Sequence, residues 1–283
     1  MLRIISGQYR RRLLETPPDA ETTRPFPDRV RESLFQILRG HCEGATVFEA
    51  FSGVGSVGLE AVSRGASRVV MVERDREIFK YLERNTATLG CQDKVDLVNG
   101  DALGPGALAR CPRPVHLVFF DPPYAMVRDP AAWARIKGQF ERLIAMLDDT
   151  GYAALRTPWP LFHEFAPDGT PVLPEEKPKG KRGRKPSRPT EQDDEEGRRR
   201  GRERAESGGV WLSAEEIEAE FDRAVAGGDE GDDVIETVEE AGEPEIPNRR
   251  EPVDLKMNGA RGPETHEYTG MAVHLYMKAA PKA

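Results

Sequence analysis

The chain predicts an α/β protein, a parallel sheet with helices on both faces, and three observations predict it. Between residues 46 and 155, apolar runs of strand length alternate with amphipathic runs of helix length. Gly53, Gly55 and Gly58 form a glycine-rich turn, G-x-G-x-x-G, directly between one such strand and the next helix. Further on, Asp121-Pro122-Pro123-Tyr124 closes a second, strongly apolar run. In sheets of this kind ligands are expected beyond the carboxyl ends of the strands, and both motifs stand at such ends.

The elements follow in order. Residues 2–5 and 12–14 read as short strands joined through Ser6-Gly7-Gln8 into a hairpin, an extension covering residues 1–26. A helix is expected over 28–39, with Val30, Leu34, Ile37 and Leu38 on one face, Arg29 and Arg31 away from its centre, and Gly40 as its stop. Strand 47–51 leads through the glycine turn into a helix ending at Arg64. Strand 68–73 precedes a helix over 75–89 closed by Gly90. Strands 95–98 and 115–120 come next, then a helix over 133–147 burying Trp133, Ile136, Phe140, Leu143, Ile144 and Leu147, then strand 152–155. Tyr268 and the alternating Met271, Val273, Leu275 and Met277 close the sheet, so the main domain comprises 27–170 plus 251–283.

Residues 171–250 break the pattern. They are rich in Pro, Gly and charge and poor in apolar residues, which reads as a mostly disordered insertion before the last strands. One helix is expected within it, from the capping box of Ser213 and Glu216 and the staple of Leu212 and Ile217. The formal net charge of −8 resides entirely in residues 174–250, whereas the first forty residues are net basic. An acidic total therefore does not exclude a polyanionic partner. Cys42, Cys91 and Cys111 are odd in number and far apart, which argues against a disulfide framework and a zinc site. The histidines show no ligand spacing, so no metal is expected, and His116 reads as a satisfied core residue. No apolar run approaches membrane-spanning length and the first residues have no apolar core. A soluble, cytoplasmic protein, monomeric and without a membrane partner, is the expectation.

The glycine turn brings backbone close to a nucleotide-like ligand. Glu73 ends the next strand, where a carboxylate accepts hydrogen bonds from ribose hydroxyls, while Asp75 reads as a helix N-terminal acid. Asp101 ends the third strand and can reach an exocyclic adenine amine, or serve as a solvated loop residue. Glu49 on the first strand, Phe51 before the glycines and Asp121 at the fourth strand favour S-adenosylmethionine over a nicotinamide cofactor, because hydride transfer has no use for D-P-P-Y. The expected fold class is a Rossmann-like class I S-adenosylmethionine-dependent methyltransferase. Its cofactor site is expected at Glu49, Phe51, Gly53, Gly55, Gly58, Glu73 and Asp101, with the adjoining Arg74 and Ala102, the set that the family resemblance given below also implies.

Asp121, Pro122, Pro123 and Tyr124 suit an acceptor amine on a base. The lone pair of such an amine is delocalised into the ring, so it must be turned and aimed before it attacks. The Asp121 carboxylate and the Pro122 carbonyl can accept its two hydrogens, and Pro123 stiffens the turn. Asp121 need not remove a proton first, since a carboxylate is far too weak a base for a neutral aryl amine. Tyr124 offers a stacking face for a base taken out of its stack.

With these residues the chain resembles the bacterial RsmD-type methyltransferases, which methylate the N2 amine of one guanine in small-subunit (16S) ribosomal RNA. The resemblance covers about residues 1–160 and the last fifteen or so. It rests on Arg3-Ile4-Ile5-Ser6-Gly7-Gln8-Tyr9-Arg10, Arg24-Pro25 with Asp28-Arg29-Val30-Arg31-Glu32, Phe51-Ser52-Gly53, Gly58-Leu59-Glu60-Ala61, Ser63-Arg64-Gly65-Ala66, Glu73-Arg74-Asp75 and Asp121-Pro122-Pro123-Tyr124. It implies S-adenosylmethionine at the glycine turn, the target guanine at residues 121–124, and ribosomal RNA or a 30S assembly particle as partner. RNA is then expected along the basic N-terminal elements, where Arg10, Arg11, Arg12, Arg24, Arg29 and Arg31 form a phosphate-binding set, some of them able to pair with Asp28 or Glu32 instead. Ser6, where the family usually has glycine, and Phe26-Pro27, where it usually has two threonines, depart from the pattern, as does the insertion. Open alternatives are adenine N6 of RNA or DNA, a glutamine side-chain amide, or a non-catalytic RNA-binding assembly module.

Overall fold

The computed structural model describes residues 2–18, 26–173 and 248–280, which form one unit of the chain. The helix read around Ser213 and Glu216, and Arg24, lie outside the described residues.

Helix α1 (Asp28–Ile37) precedes β1 (Thr46–Ala50), α2 (Gly58–Ser63), β2 (Arg68–Glu73), α3 (Arg76–Leu89) and β3 (Val95–Asn99). Then come α4 (Pro105–Arg110), β4 (Val115–Phe120), α5 (Tyr124–Arg128), α6 (Pro130–Ile144) and β5 (Leu147–Pro158). Strands β6 (Phe162–Phe165), β7 (Arg249–Pro252), β8 (Ala260–Tyr268) and β9 (Met271–Lys278) complete the described chain. Seven strands form one sheet in the order β3-β2-β1-β4-β5-β9-β8, and β6 with β7 form a separate pair. The first five strands are parallel, while β9 runs antiparallel to both β5 and β8.

Alternation along the central strands divides the core between the two faces of the sheet. Val69 and Met71 of β2 join Leu34, Phe35, Leu59 and Leu82 of α1, α2 and α3. Val70 and Val72, one residue out of phase, join Phe120, Phe140 and Leu143 on the side of α6. The sheet is covered on both faces as βαβ connections require, which explains the unbroken apolar text of β2 and β4.

Three boundaries differ from the sequence reading. Helix α6 starts under the Asp129 side chain, which accepts from Ala131 N at 3.0 Å, and ends at Ile144. Leu147 is therefore not helical; it opens β5 opposite Val115. Strand β5 runs to Pro158, beyond the expected end at Leu155, because β9 pairs with it as far as Met271. In α1 the buried face is Val30, Arg31, Leu34 and Phe35, while Ile37 is 39% exposed. That face is rotated because the N-terminal segment, through Ile4, packs into the same core cluster.

The expected N-terminal hairpin forms as a tight turn with a single bridge, Arg3 to Leu13, flanked by Ile4 N→Arg12 O and Leu14 N→Leu2 O bonds. It is clipped onto α2. The Glu60 carboxylate accepts from Ile5 N at 2.7 Å and Ser6 N at 3.0 Å, and Ser63 O accepts from Gln8 N at 2.7 Å. Any Cβ at residue 7 would lie 1.8 Å from Ser63 O, so only Gly7 permits this approach. Three of the motifs that carried the family resemblance thus meet, the residue 3–10 string binding both the one with Glu60 and the one with Ser63.

Candidate active site

Parallel register builds the site. Ala50 lies between Val72 and Phe120, so β1, β2 and β4 end at one rim, with Asn99 of β3 beside Glu73. The chain leaves β1 through Phe51, whose φ of 60° is unusual for a residue with a side chain. Its ring meets Phe120 edge-on at 5.3 Å, which holds the turn against the end of β4.

Inside that turn Glu49 accepts from Gly58 N at 3.1 Å. The carboxyl is buried, and burial pushes its pKa up to about 8; the Gly58 N–H opposes this and the charge of Asp121 adds to it. A Cβ at Gly58 would come within 2.5 Å of both Glu49 Oε2 and Met71 Sδ, so the glycine is required by the approach of α2 to β1 and β2. Glu73 Oε2 accepts from Gly53 N at 2.9 Å and Oε1 from Asp75 N at 2.7 Å. Asp75 caps α3 as the sequence predicted, accepting from Glu77 N and Ile78 N.

Asp101 follows β3, with its side chain 44% exposed, and accepts from Leu103 N at 3.0 Å. Arg74 is exposed, and Ala102 is buried with its carbonyl accepting from Gln139 Nε2. Glu49, Phe51, Gly53, Gly58 and Glu73 are thus brought together at one strand end, with Gly55 beneath them against Leu82 and Asp101 at the next strand end but one. A carboxylate beside backbone amides, at the start of a helix whose glycine leaves no room for a side chain, is a donor and acceptor set that fits a nucleoside with a sulfonium-bearing amino-acid tail.

Asp121 lies immediately beyond β4 on the same rim. Pro122 is buried, and Pro123 precedes α5, whose first residue is Tyr124. The structure adds a residue that the sequence reading missed. Arg156 Nε donates to Asp121 Oδ1 at 2.6 Å. Phe120 pairs with Leu155, so the next residue of each strand also falls side by side. The Arg156 guanidinium lies over the Phe26 ring at 4.7 Å and over the Tyr124 ring at 5.6 Å. Burial raises the Asp121 carboxyl above the ordinary aspartate range, and the Arg156 charge pulls it back. Reading β5 one residue further, through an arginine in apolar text, was the signal that would have found it.

The basic set divides. Arg10, Arg11, Arg12 and Arg29 are exposed, and Arg12 Nη2 also donates to Thr88 O at 2.7 Å. Arg31 is a correction: it is fully buried, its Nη2 donating to Arg3 O at 2.6 Å and Asp28 Oδ1 at 3.0 Å, so it cannot meet a phosphate. Helix α1 turns it inward to hold the N-terminal turn.

Other ionisable groups lie elsewhere. His116, bonded to His41 at 2.9 Å and to Asp148 at 2.8 Å, stands at the opposite rim, where β4 and β5 begin. The thiols of Cys42, Cys91 and Cys111 are buried and raised by burial to about 11, 11 and 12, which leaves them protonated. Among the described residues no group of three or more His, Cys, Asp or Glu could hold a metal ion, and no helix is long and apolar enough to cross a membrane.

A family model described as conserved hypothetical protein 95 matches residues 2–141. Ribosomal RNA small subunit methyltransferase D of Escherichia coli (strain K12) is 37% identical over 153 residues, covering 54% of this chain and 70% of that protein. A putative rRNA methyltransferase of Bacillus subtilis (strain 168), YlbH, is 32% identical over 124 residues, 44% of this chain and 67% of that one. Among solved structures, the putative methyltransferase yhhF from Escherichia coli superposes with a TM-score of 0.54 at 21% identity, covering 99% of this chain and 98% of that chain, a likeness of fold.

Proposed function

This chain belongs to the ribosomal RNA small subunit methyltransferase D family, and from that premise we propose that it methylates the exocyclic N2 amine of one guanine in small-subunit ribosomal RNA. It is an S-adenosylmethionine-dependent rRNA methyltransferase by family. The guanine N2 specificity is the proposed part and follows from the family, while the observation that supports an exocyclic amine as acceptor is the Asp121 carboxylate on the same rim as the glycine turn.

Bound S-adenosylmethionine supplies an electrophilic methyl group on a sulfonium. Glu73 and Gly53 suit its ribose, Asp101 its adenine amine, and Glu49 its amino-acid end. Asp121 Oδ2 and the Pro122 carbonyl accept the hydrogens of the target amine, aligning its lone pair and stabilising the positive charge that grows on nitrogen. Tyr124 provides the face on which the extruded guanine stacks. Pro123, by fixing its own φ, keeps these acceptors from rotating apart. Arg10, Arg11, Arg12 and Arg29 are exposed and form the phosphate-contacting surface. The substrate is rRNA, free or within a 30S assembly particle, and the enzyme acts as a cytoplasmic monomer.

The test is incubation with labelled S-adenosylmethionine and small-subunit particles lacking the modification, followed by nucleoside analysis. Label in N2-methylguanosine at one position is expected. Label in N6-methyladenosine or in protein would keep the cofactor and overturn the acceptor.

A further inference from the structure

Among the described residues, the two carboxylate oxygens of Asp121 have one side-chain hydrogen-bond partner. Oδ1 accepts from Arg156 Nε at 2.6 Å. The Arg156 side chain is 8% exposed, and its planar group lies against Phe26, just before α1, and Tyr124, at the start of α5. An arginine so placed has little rotamer freedom, because two rings and a carboxylate restrain one plane. Phe26, Glu49, Phe120, Asp121 and Arg156 line one small cavity at the end of β4.

We propose that Arg156 is the positioning residue of the acceptor carboxylate: it fixes Oδ1, so that Oδ2 is presented to the amine, and it joins the stacking ring of Tyr124 to the aimed oxygen of Asp121 as one unit. The inference rests on the reading of Asp121 as the acceptor-site carboxylate. Two physical requirements meet in this residue. An amine aligned for attack loses rate when its acceptor oxygen swings by a fraction of an ångström. A carboxylate set among Phe119, Phe120 and Ala154 must also stay ionised to accept both geometry and charge. Among the described residues, Arg156 from β5 bonds Asp121, Glu49 from β1 lies close enough to feel its charge, and Tyr124 from α5 meets the Arg156 guanidinium. Arg156 favours the ionised form of Asp121 against the burial that raises its carboxyl. Lysine would keep the charge but lose the planar face and the Nε–H that meets Oδ1.

The experiment compares wild type, Arg156→Met and Arg156→Lys in kcat, KM for the rRNA particle, S-adenosylmethionine affinity and the pH profile of kcat/KM. In Arg156→Met, kcat should fall by ~10²-fold with cofactor affinity within about twofold. The acid limb of the profile should move to higher pH by about one unit or more, because the cation beside Asp121 is gone. Arg156→Lys should return the limb toward wild type while kcat stays at least ~10-fold low. A limb unmoved in Arg156→Met, or full kcat in Arg156→Lys, overturns the proposal. If Arg156→Met does not fold, the Asp121 carboxyl titrated by NMR in wild type and Arg156→Lys, read beside the kcat of Arg156→Lys, decides the matter: the carboxyl should titrate within about half a unit in both, and a larger rise in the variant counts against the proposal. Asp121→Ala separates the two ideas. Full activity there removes the acceptor reading itself, whereas an inactive Asp121→Ala beside a normal Arg156→Met removes only this inference.

Discussion

The cofactor half of the rim, at β1 and β2, and the acceptor half, at β4 and β5, are assembled by different means. In the first, side chains bind the backbone of the glycine turn: Glu49 to Gly58 N and, from the end of β2, Glu73 to Gly53 N. In the second, a side chain binds a side chain from the next strand, Arg156 to Asp121, and an aromatic ring comes from ahead of α1. A glycine turn can be recognised as a string, but the acceptor pair exists only once β4 and β5 are in register. The two halves should therefore be separable by mutation, one governing cofactor affinity and the other turnover.

The largest expected effect tests that separation. Asp121→Ala should lower methyl transfer by at least ~10³-fold, since it removes the acceptor oxygen aimed at developing charge. Calorimetry should find S-adenosylmethionine affinity changed by no more than about threefold, because no cofactor-half hydrogen bond involves Asp121. Equal loss of both would mean that the halves act as one. Within the acceptor half, Tyr124→Ala should cost ~10-fold in turnover and Tyr124→Phe little, as stacking uses the ring face.

How much was legible follows the same division. The strand and helix alternation, the glycine turn, the cap at Asp75 and D-P-P-Y are local patterns, and the structure contains each of them, with the bounds of α6 and β5 shifted. Arg156 was missed because β5 was ended at Leu155, and nothing local marks a strand that a distant β9 prolongs. Arg31 was placed among phosphate ligands because charge in a helix normally faces water; its burial depends on an N-terminal turn that packs over α1 and offers the Arg3 carbonyl. The histidine pair at the opposite rim likewise depends on strand starts far apart in the chain.

A smaller effect sharpens the cofactor half. The buried carboxyl of Glu49 titrates near 8 in the fold against about 4.5 as its ordinary value. Between those values the folded protein holds a proton that the unfolded chain has lost, so this contribution is full below the lower value and is lost as pH rises through about 8. The ligand-free wild type should therefore lose several degrees of Tm over that range relative to Glu49→Gln, whose amide keeps the size and does not titrate. The buried His274, held near 4, slopes the opposite way between about 6.5 and 4, but it is common to both proteins and cancels in the comparison. Parallel Tm curves for the two proteins would place the Glu49 carboxylate in water and remove it from the buried turn.

The smallest effects separate the basic residues that the sequence grouped together. Arg10 is exposed on the N-terminal turn, whereas Arg31 has no accessible surface and its Nη2 donates to Arg3 O and Asp28 Oδ1. If RNA lies along the turn, Arg10→Ala removes one phosphate contact, weakening binding only a few-fold at moderate salt and reducing the slope of log K against log salt by about one. Arg31→Met should leave that slope unchanged, because counterion release requires a charge that the polyanion can reach. Its effect on stability should also be modest. It frees the Arg3 carbonyl and the Asp28 carboxylate, but it also removes a buried guanidinium whose Nε and Nη1 have no hydrogen-bond partner. A shallower salt slope in Arg31→Met would show that the N-terminal turn opens on RNA and exposes this side chain. An unchanged slope in Arg10→Ala would move the RNA path away from Arg10 and toward the other exposed arginines, Arg29 of α1 among them.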